Sequence, residues 1–313
     1  MYRILIPLPE IKSIKIKLLA IALKCVCLRL LSDKSRRFAT KDCFEVRTQV
    51  KVVENPTNWL EGTTFMVHHL KLEGTYNIRD LGGFPVEGGG ITRQHVLIRA
   101  GNLDKLPTDS QNQLIKYGLK TVIDLRDEWE IRDYPNVFAH SETVTYLNLP
   151  LVGEQTIDSD AWQIWKDKTA PLHDIYIGYL ENCQRQIGTI ISALAESTPT
   201  AIIHCYAGKD RTGLITALVL AALGVPDAYI AEDYSQSHAQ IGHLIETWRQ
   251  YALENNIDMK QIERDASSDA ATILQTLEHI RGHYGGITGY LNACSVTNSH
   301  LEAIRMRFVQ DER

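Results

Sequence analysis

This sequence lacks a run of about 20 apolar residues, the length a helix needs to span a bilayer. The apolar part of "IKSIKIKLLAIALKCVCLRLLSDKSRRFATK" (11–41) is interrupted by Lys24 well short of that length. A disulfide framework is also missing. Six cysteines in 313 residues lie scattered at 25, 27, 43, 183, 205 and 294, and a chain this long does not need staples. Cys25 and Cys27 stand too close for a zinc pair, and no second pair follows at ligand spacing. No G-x-x-x-x-G-K-[ST] is present, which excludes a nucleotide-binding P-loop. Internal repeats and low-complexity tracts are absent as well. No metal or organic cofactor is implied.

Charge is unevenly spread. The net charge of -5 combines ten Lys/Arg and two Asp/Glu up to Lys41 with 23 basic and 36 acidic residues beyond it. An acidic body speaks against nucleic-acid binding, so an anionic ligand would need a local pocket instead of a broad field. The basic start is compatible with an amphipathic helix on anionic lipid, an imperfect signal peptide, or a poorly ordered extension. Upstream sequence translated from a misassigned start is a further reading, since Met66 would open a domain cleanly. The expectation is a basic extension over 1–65, with a membrane surface reached through 1–41, and one domain over 66–313. Reduced thiols suggest a cytoplasmic protein; export or membrane association through the N-terminal segment is the alternative.

From Met66 onward, β-branched runs alternate with helical segments. Strands are expected in "HVLIRAGNL" (95–103), "KTVIDLRD" (120–127), "TVTYLNLPL" (143–151) and "TAIIHC" (200–205). Helices are expected over 108–118, 172–196, 211–223, 227–237, 239–254, 267–282 and 298–309. "GLITALVLAAL" (213–223) is apolar on every side and should be buried, ending at Gly224 and Pro226. "GGFPVEGGGITRQ" (82–94) reads as a hairpin or loop. The fold class is α/β, a central and largely parallel sheet flanked by helices.

One stretch carries chemistry. In "HCYAGKDRTG" (204–213), Cys205 sits at the carboxyl end of a strand and feeds a buried helix. Tyr206, Ala207, Gly208, Lys209 and Asp210 must turn back within five residues, and Gly208 supplies the unusual dihedrals. Successive N–H groups then form an anion nest at the helix N-terminus, which would favour the thiolate of Cys205. Arg211 can grip two phosphoryl oxygens, and Thr212 offers a hydroxyl to the sulfur. His204 is expected to bond backbone groups around the loop, and Gly213 lets the helix start close to the sheet. An arginine six residues after a cysteine is weak evidence alone. Here it occurs once: the other cysteines are followed at that spacing by Leu31, Asp33, Gln49, Thr189 and His300. The residues describe a cysteine phosphatase.

"HCYAGKDRTG" resembles the signature loop of protein tyrosine phosphatases, and within them the bacterial and fungal tyrosine/serine phosphatase family typified by a secreted mycobacterial phosphatase. "YNIRDLGGF" (76–84), "LIRAGNLDKL" (97–106) and "TVIDLRDEWEIRDYP" (121–135) resemble further blocks of that family. The resemblance covers about 75–310 and implies a helical lid or C-terminal helical insertion. Tyr234, Arg249 and the helices to about 283 are candidates for that lid, and the tryptophans of "DSDAWQIWKD" (158–167) for substrate stacking. Many tyrosine phosphatases carry their general acid on a Trp-Pro-Asp loop. None of the tryptophans at 59, 129, 162, 165 and 248 precedes a proline, so that loop is missing. The resemblance places the acid within the signature loop, at Asp210; a simple salt bridge with Lys209 is the other reading. Asp80 and Asp124 are lesser candidates, with turn capping and pairing to Arg79 or Arg126 as their structural roles.

Cys205, Arg211 and Asp210 are thus the expected catalytic residues. Tyr206, Ala207, Gly208, Lys209 and Thr212 would bind phosphate, with His204 and Asp80 in support. The substrate would be a protein carrying phosphotyrosine or phosphoserine/threonine. A phosphoinositide is the alternative, because a lysine at 209 also occurs in phosphoinositide phosphatases. A phosphate-binding pseudo-enzyme is the third reading.

Overall fold

The computed structural model describes residues 68–153 and 170–311. The basic extension over 1–65, its membrane contact through 1–41 and the tryptophans of 158–167 lie outside the described residues. Eight strands are present among the described residues: β1 (His68–His69), β2 (Arg79–Asp80), β3 (Ile91–Thr92), β4 (Leu97–Ala100), β5 (Thr121–Asp124), β6 (Thr145–Asn148), β7 (Ala201–His204) and β8 (Val309–Gln310). Six form one sheet in the order β1-β2-β4-β7-β5-β6. The four strands β4, β7, β5 and β6 run parallel, while β1 and β2 join antiparallel at one edge. The largely parallel sheet therefore stands as expected. The glycine-rich segment 82–94 is indeed a hairpin-like turn, bridged from Pro85 to Ile91 and with β3 paired to β8.

Alternation along each strand divides the core. Ala201 and Ile203 of β7, Ile123 of β5 and Leu97 of β4 enter one apolar cluster; Ile202, Val122 and Ile98 enter another on the opposite face. The second face is closed by α1 (Thr108–Tyr117), which ends at Gly118 in the left-handed region. After α2 (Glu128–Asp133), the larger face takes most remaining helices. The segment expected as one helix over 172–196 is two, α3 (Leu172–Asn182) and α4 (Gln184–Glu196), because Cys183 leaves helical geometry at ψ 22°. α5 (Asp210–Leu223) follows β7 directly and is buried nearly all round, as its apolar sequence requires.

Six helices complete the described chain: α6 (Asp227–Gln240), α7 (Gly242–Asn255), α8 (Met259–Ala266), α9 (Ala270–Tyr284), α10 (Ile287–Ala293) and α11 (Asn298–Phe308). α2, α8 and α10 were not expected from sequence. α8 is only eight residues long and owes its start to Asp258, whose carboxylate accepts from the Lys260 N–H. α7 and α8 belong to a separate apolar cluster with Tyr206 and Ala207 of the loop after β7. Among the described residues no helix is long and apolar enough to cross a membrane.

Candidate active site

β7 lies between β4 and β5, so its carboxyl end is the centre of the sheet's parallel part. Ala100, His204 and Asp124 stand side by side where the three strands finish. The chain then turns over this edge, and Gly208 makes the turn possible. Its φ is +67°, and a Cβ there would lie 2.4 Å from the Ala100 carbonyl oxygen. Any side chain would push the loop off the sheet.

The loop is held by its carbonyls. The Cys205 oxygen accepts from His204 Nδ1 at 3.2 Å, as expected of His204. The Tyr206 oxygen accepts from the Asn102 N–H at 2.9 Å and the Tyr76 hydroxyl at 2.8 Å. The Ala207 oxygen accepts from Asn77 Nδ2 at 3.0 Å, and the Gly208 oxygen from Arg99 Nη2 at 2.7 Å. Every carbonyl from 205 to 208 is therefore drawn toward the scaffold. In a trans peptide the N–H points opposite to the C=O, so the amides turn to the other side. The N–H groups of 206–212 donate to no acceptor among the described residues. That row of unpaired donors at the start of α5 is an anion site.

Buried charge supports it from below. Asp233 of α6 bonds Arg79 Nε at 2.6 Å and Arg99 Nη1 at 2.5 Å, all three fully enclosed. Two guanidiniums against one carboxylate leave an excess positive charge directly under the loop. Burial and the neighbouring Arg99 pull the Arg79 guanidinium down to about 10, still charged at neutral pH. Beside the loop, Asp124 bonds Arg126 at 2.6 Å and lies 3.3 Å from His204 Nε2. Burial alone would raise the Asp124 carboxyl; His204 and Arg126 outweigh it and hold it well below the usual carboxylate range. Buried cations thus stand on the loop's scaffold side, each held by a carboxylate.

Arg211 is aimed by a residue the sequence reading did not single out. Its Nη1 and Nη2 donate to the two carboxylate oxygens of Glu130 at 2.5 and 2.8 Å. Glu130 is fixed in turn by the Asp127 N–H, which donates to Oε2 at 3.0 Å. Burial opposes the charge on Arg211, but Glu130 and the nearby Cys205 raise it well above its ordinary value. A guanidinium has five N–H donors. Glu130 takes two and leaves three for a ligand. The signal was the D-x-x-E spacing of "DEWE" (127–130), a helix-start pattern inside a stretch already noted.

Asp210 is bonded through one oxygen. Oδ1 accepts from Lys209 Nζ at 2.5 Å and from the Tyr176 hydroxyl at 2.8 Å, while Oδ2 meets no donor among the described residues. Lys209 is fully buried, with its second bond to the Ser267 carbonyl at 2.8 Å. Burial disfavours its charge, yet Asp210 and further neighbours raise it above the ordinary lysine value. The hydroxyl of Thr212 is buried without a partner, so it makes no bond to the sulfur.

Asp80 is not part of this constellation. Its carboxylate accepts from the Gly82 and His95 N–H groups at 2.7 and 2.8 Å and from the Tyr117 hydroxyl at 2.8 Å. It organises turns at the sheet edge, and Arg79 pairs with Asp233 instead. Tyr234 is likewise no outer lid residue: it is 1% exposed and bonds the Tyr176 hydroxyl at 2.7 Å. Arg249 does belong to the covering helices, tying α7 to Glu263 of α8 at 2.9 Å.

Cys205 itself is 2% exposed. α7 and α8 lay Leu244, Ile245, Trp248 and Ile262 against Tyr206 and Ala207. Beside them a cleft of about 550 Å³ opens between Tyr76, Tyr134, Tyr206 and His243. The other described cysteines are unsuited to nucleophilic work. Burial pushes the Cys183 thiol up to about 12 and the Cys294 thiol up to about 11. Among the described residues no three His, Cys, Asp or Glu side chains gather in a set able to hold a metal ion.

A strand-to-helix loop with one cysteine, a clamped arginine and unpaired amides has the parts that a cysteine-dependent phosphatase needs. Residues 70–310 match the model of the tyrosine phosphatase family, and the chain belongs to that family. It is 26% identical over 223 residues to a tyrosine-protein phosphatase of Nostoc commune, covering 68% of this chain and 74% of that protein. To the triple specificity protein phosphatase PtpB of Mycobacterium tuberculosis it is 24% identical over 277 residues, covering 75% and 97%. The crystal structure of P. aeruginosa TpbA aligns at 15% identity over 73% of this chain and 96% of that one, with a TM-score of 0.34. The chain is accordingly a phosphatase, a hydrolase of phosphoric monoesters.

Proposed function

We propose that residues 66–313 form one phosphatase domain that dephosphorylates phosphotyrosine in proteins, and phosphoserine or phosphothreonine more slowly, through a phosphocysteine on Cys205. The observation that carries this reading is the row of amides over 206–212 with no acceptor, beside Cys205 and the clamped Arg211. The thiolate attacks phosphorus; the phosphorus–oxygen bond to the leaving group breaks as Asp210 delivers its proton to that oxygen. Backbone amides and the three remaining N–H groups of Arg211 take the charge on the equatorial oxygens. Water then attacks the phosphocysteine with Asp210 accepting its proton, which releases phosphate and restores the thiolate. α7 and α8 pack on Tyr206 and Ala207, next to Cys205 in the chain, so entry of a protein substrate would be eased by movement of these helices off the two loop residues.

Lys209 favours a protein substrate over a phosphoinositide. Its ammonium is buried on Asp210 and the Ser267 carbonyl, so it does not face a second phosphate. The mycobacterial relative is a triple specificity protein phosphatase, which supports a range beyond tyrosine. Purified protein, Cys205→Ser and Asp210→Asn should be assayed on a phosphotyrosine peptide, a phosphoserine peptide and a phosphoinositide panel. The expected order of wild-type turnover is phosphotyrosine, phosphoserine, phosphoinositide, with none in Cys205→Ser. Turnover retained in Cys205→Ser overturns the mechanism, and phosphoinositides turned over fastest overturn the substrate class.

A further inference from the structure

Tyr176 of α3 is a fully buried residue whose hydroxyl touches the proposed acid. A tyrosine hydroxyl has a single hydrogen, and a carboxylate can only accept. The hydrogen of Tyr176 therefore goes to Asp210 Oδ1 at 2.8 Å, and Tyr176 accepts from the Tyr234 hydroxyl at 2.7 Å. Burial, with Asp210 next, raises the Tyr176 hydroxyl well above its ordinary value, so it stays a donor at every working pH. Burial likewise pushes Tyr234 up to about 12. Lys209 occupies the second acceptor direction of the same oxygen at 2.5 Å.

This arrangement decides where a proton can sit. A carboxyl oxygen that already accepts two hydrogen bonds has no lone pair free for a hydrogen of its own. We propose that Tyr176 is a positioning residue for proton transfer: together with Lys209 it saturates Asp210 Oδ1, so that the transferable proton is held on Oδ2 and presented to the leaving group. The proposal rests on the reading of Asp210 as the general acid. It also gives α6 a double task, since consecutive residues serve the two ends of the loop. Asp233 sets Arg99 on the Gly208 carbonyl, and Tyr234 orients Tyr176 toward Asp210.

The test separates placing a proton from merely filling space. Departure of a weakly acidic phenol needs protonation, whereas dinitrophenolate leaves without it. Wild type, Tyr176→Phe, Tyr234→Phe and Asp210→Asn should be compared by kcat/KM on phenyl phosphate and on 2,4-dinitrophenyl phosphate. Tyr176→Phe should lose about tenfold on phenyl phosphate, a fraction of what a general acid contributes, and nothing on the dinitrophenyl ester. Tyr234→Phe, which removes only the donor to Tyr176, should show the same selectivity with a smaller loss; it carries the test if Tyr176→Phe does not fold. Equal losses on both esters, or none on phenyl phosphate, overturn the proposal. Asp210→Asn distinguishes the two ways to fail. Without a selective loss in Asp210→Asn, the acid itself is misassigned and the inference falls with it. A selective loss there, with Tyr176→Phe flat, overturns the inference alone.

Discussion

The signature loop has two faces, and they are built from opposite materials. Its scaffold face is polar and buried: Asn77, Tyr76, Asn102, His204 and Arg99 each take a specific carbonyl, and Asp233 holds Arg79 and Arg99 in turn. Its outer face is apolar, with α7 and α8 resting on Tyr206 and Ala207. Buried hydrogen bonds between charged groups fix one geometry and are costly to break singly. Apolar contact stabilises through area, about 25 cal/mol per Å², and tolerates sliding. The first face therefore sets where the amides point, while the second rests on the side chains of Tyr206 and Ala207.

Cutting the scaffold face should do the most damage. Asp233→Asn leaves two buried guanidiniums without their carboxylate and should cost about 3–5 kcal/mol of stability, read from urea unfolding. A loss under about 1 kcal/mol would mean that the pair does not carry the loop. Next in size is Glu130→Gln, which keeps the shape but weakens the hold on Arg211. It should lower kcat/KM by up to about 100-fold, the cost of a misplaced reacting group, and should also lower stability, though less than Asp233→Asn, because only one buried guanidinium loses its carboxylate.

Asp124→Asn tests the scaffold by pH. Its carboxyl is depressed in the folded protein, so its stabilisation is complete above the unfolded value of about 4 and is lost as pH falls through the lower folded value. The stability gap between wild type and Asp124→Asn should be wide at pH 7 and close in strong acid. A gap that widens toward acid would reverse the sign of the pair. The smallest effect belongs to the outer face. Trp248→Ala should speed alkylation of Cys205 by iodoacetamide several-fold while kcat stays close to wild type. Unchanged alkylation would show that α7 does not guard the thiol.

The same contrast explains what could be read from sequence. Cys205, Gly208, Asp210 and Arg211 lie within seven residues, and their nest follows from a strand, a glycine and a buried helix in succession. The parallel sheet was legible too, because its strands are short β-branched runs. Glu130 stands 81 residues from Arg211, Tyr176 is 34 from Asp210, and Asp233 is 134 from Arg99. No local pattern announces such pairings; they exist only after the helices pack. The aim of Lys209 was also hidden, since neighbours alone decide whether a lysine in the loop faces phosphate or Ser267. For Asp80 the structural reading, capping a turn, is the one its hydrogen bonds match. α2, α8 and α10, six to eight residues each, escaped because propensity over so few residues is weak.

The central claim is that Cys205 carries the phosphoryl group during turnover. Rapid acid quench of the wild-type protein with phosphotyrosine peptide, followed by peptide mapping by mass spectrometry, tests it directly. The account predicts one phosphoryl adduct on the peptide holding Cys205, absent in Cys205→Ser. An adduct on another residue, or continued turnover by Cys205→Ser, would contradict it.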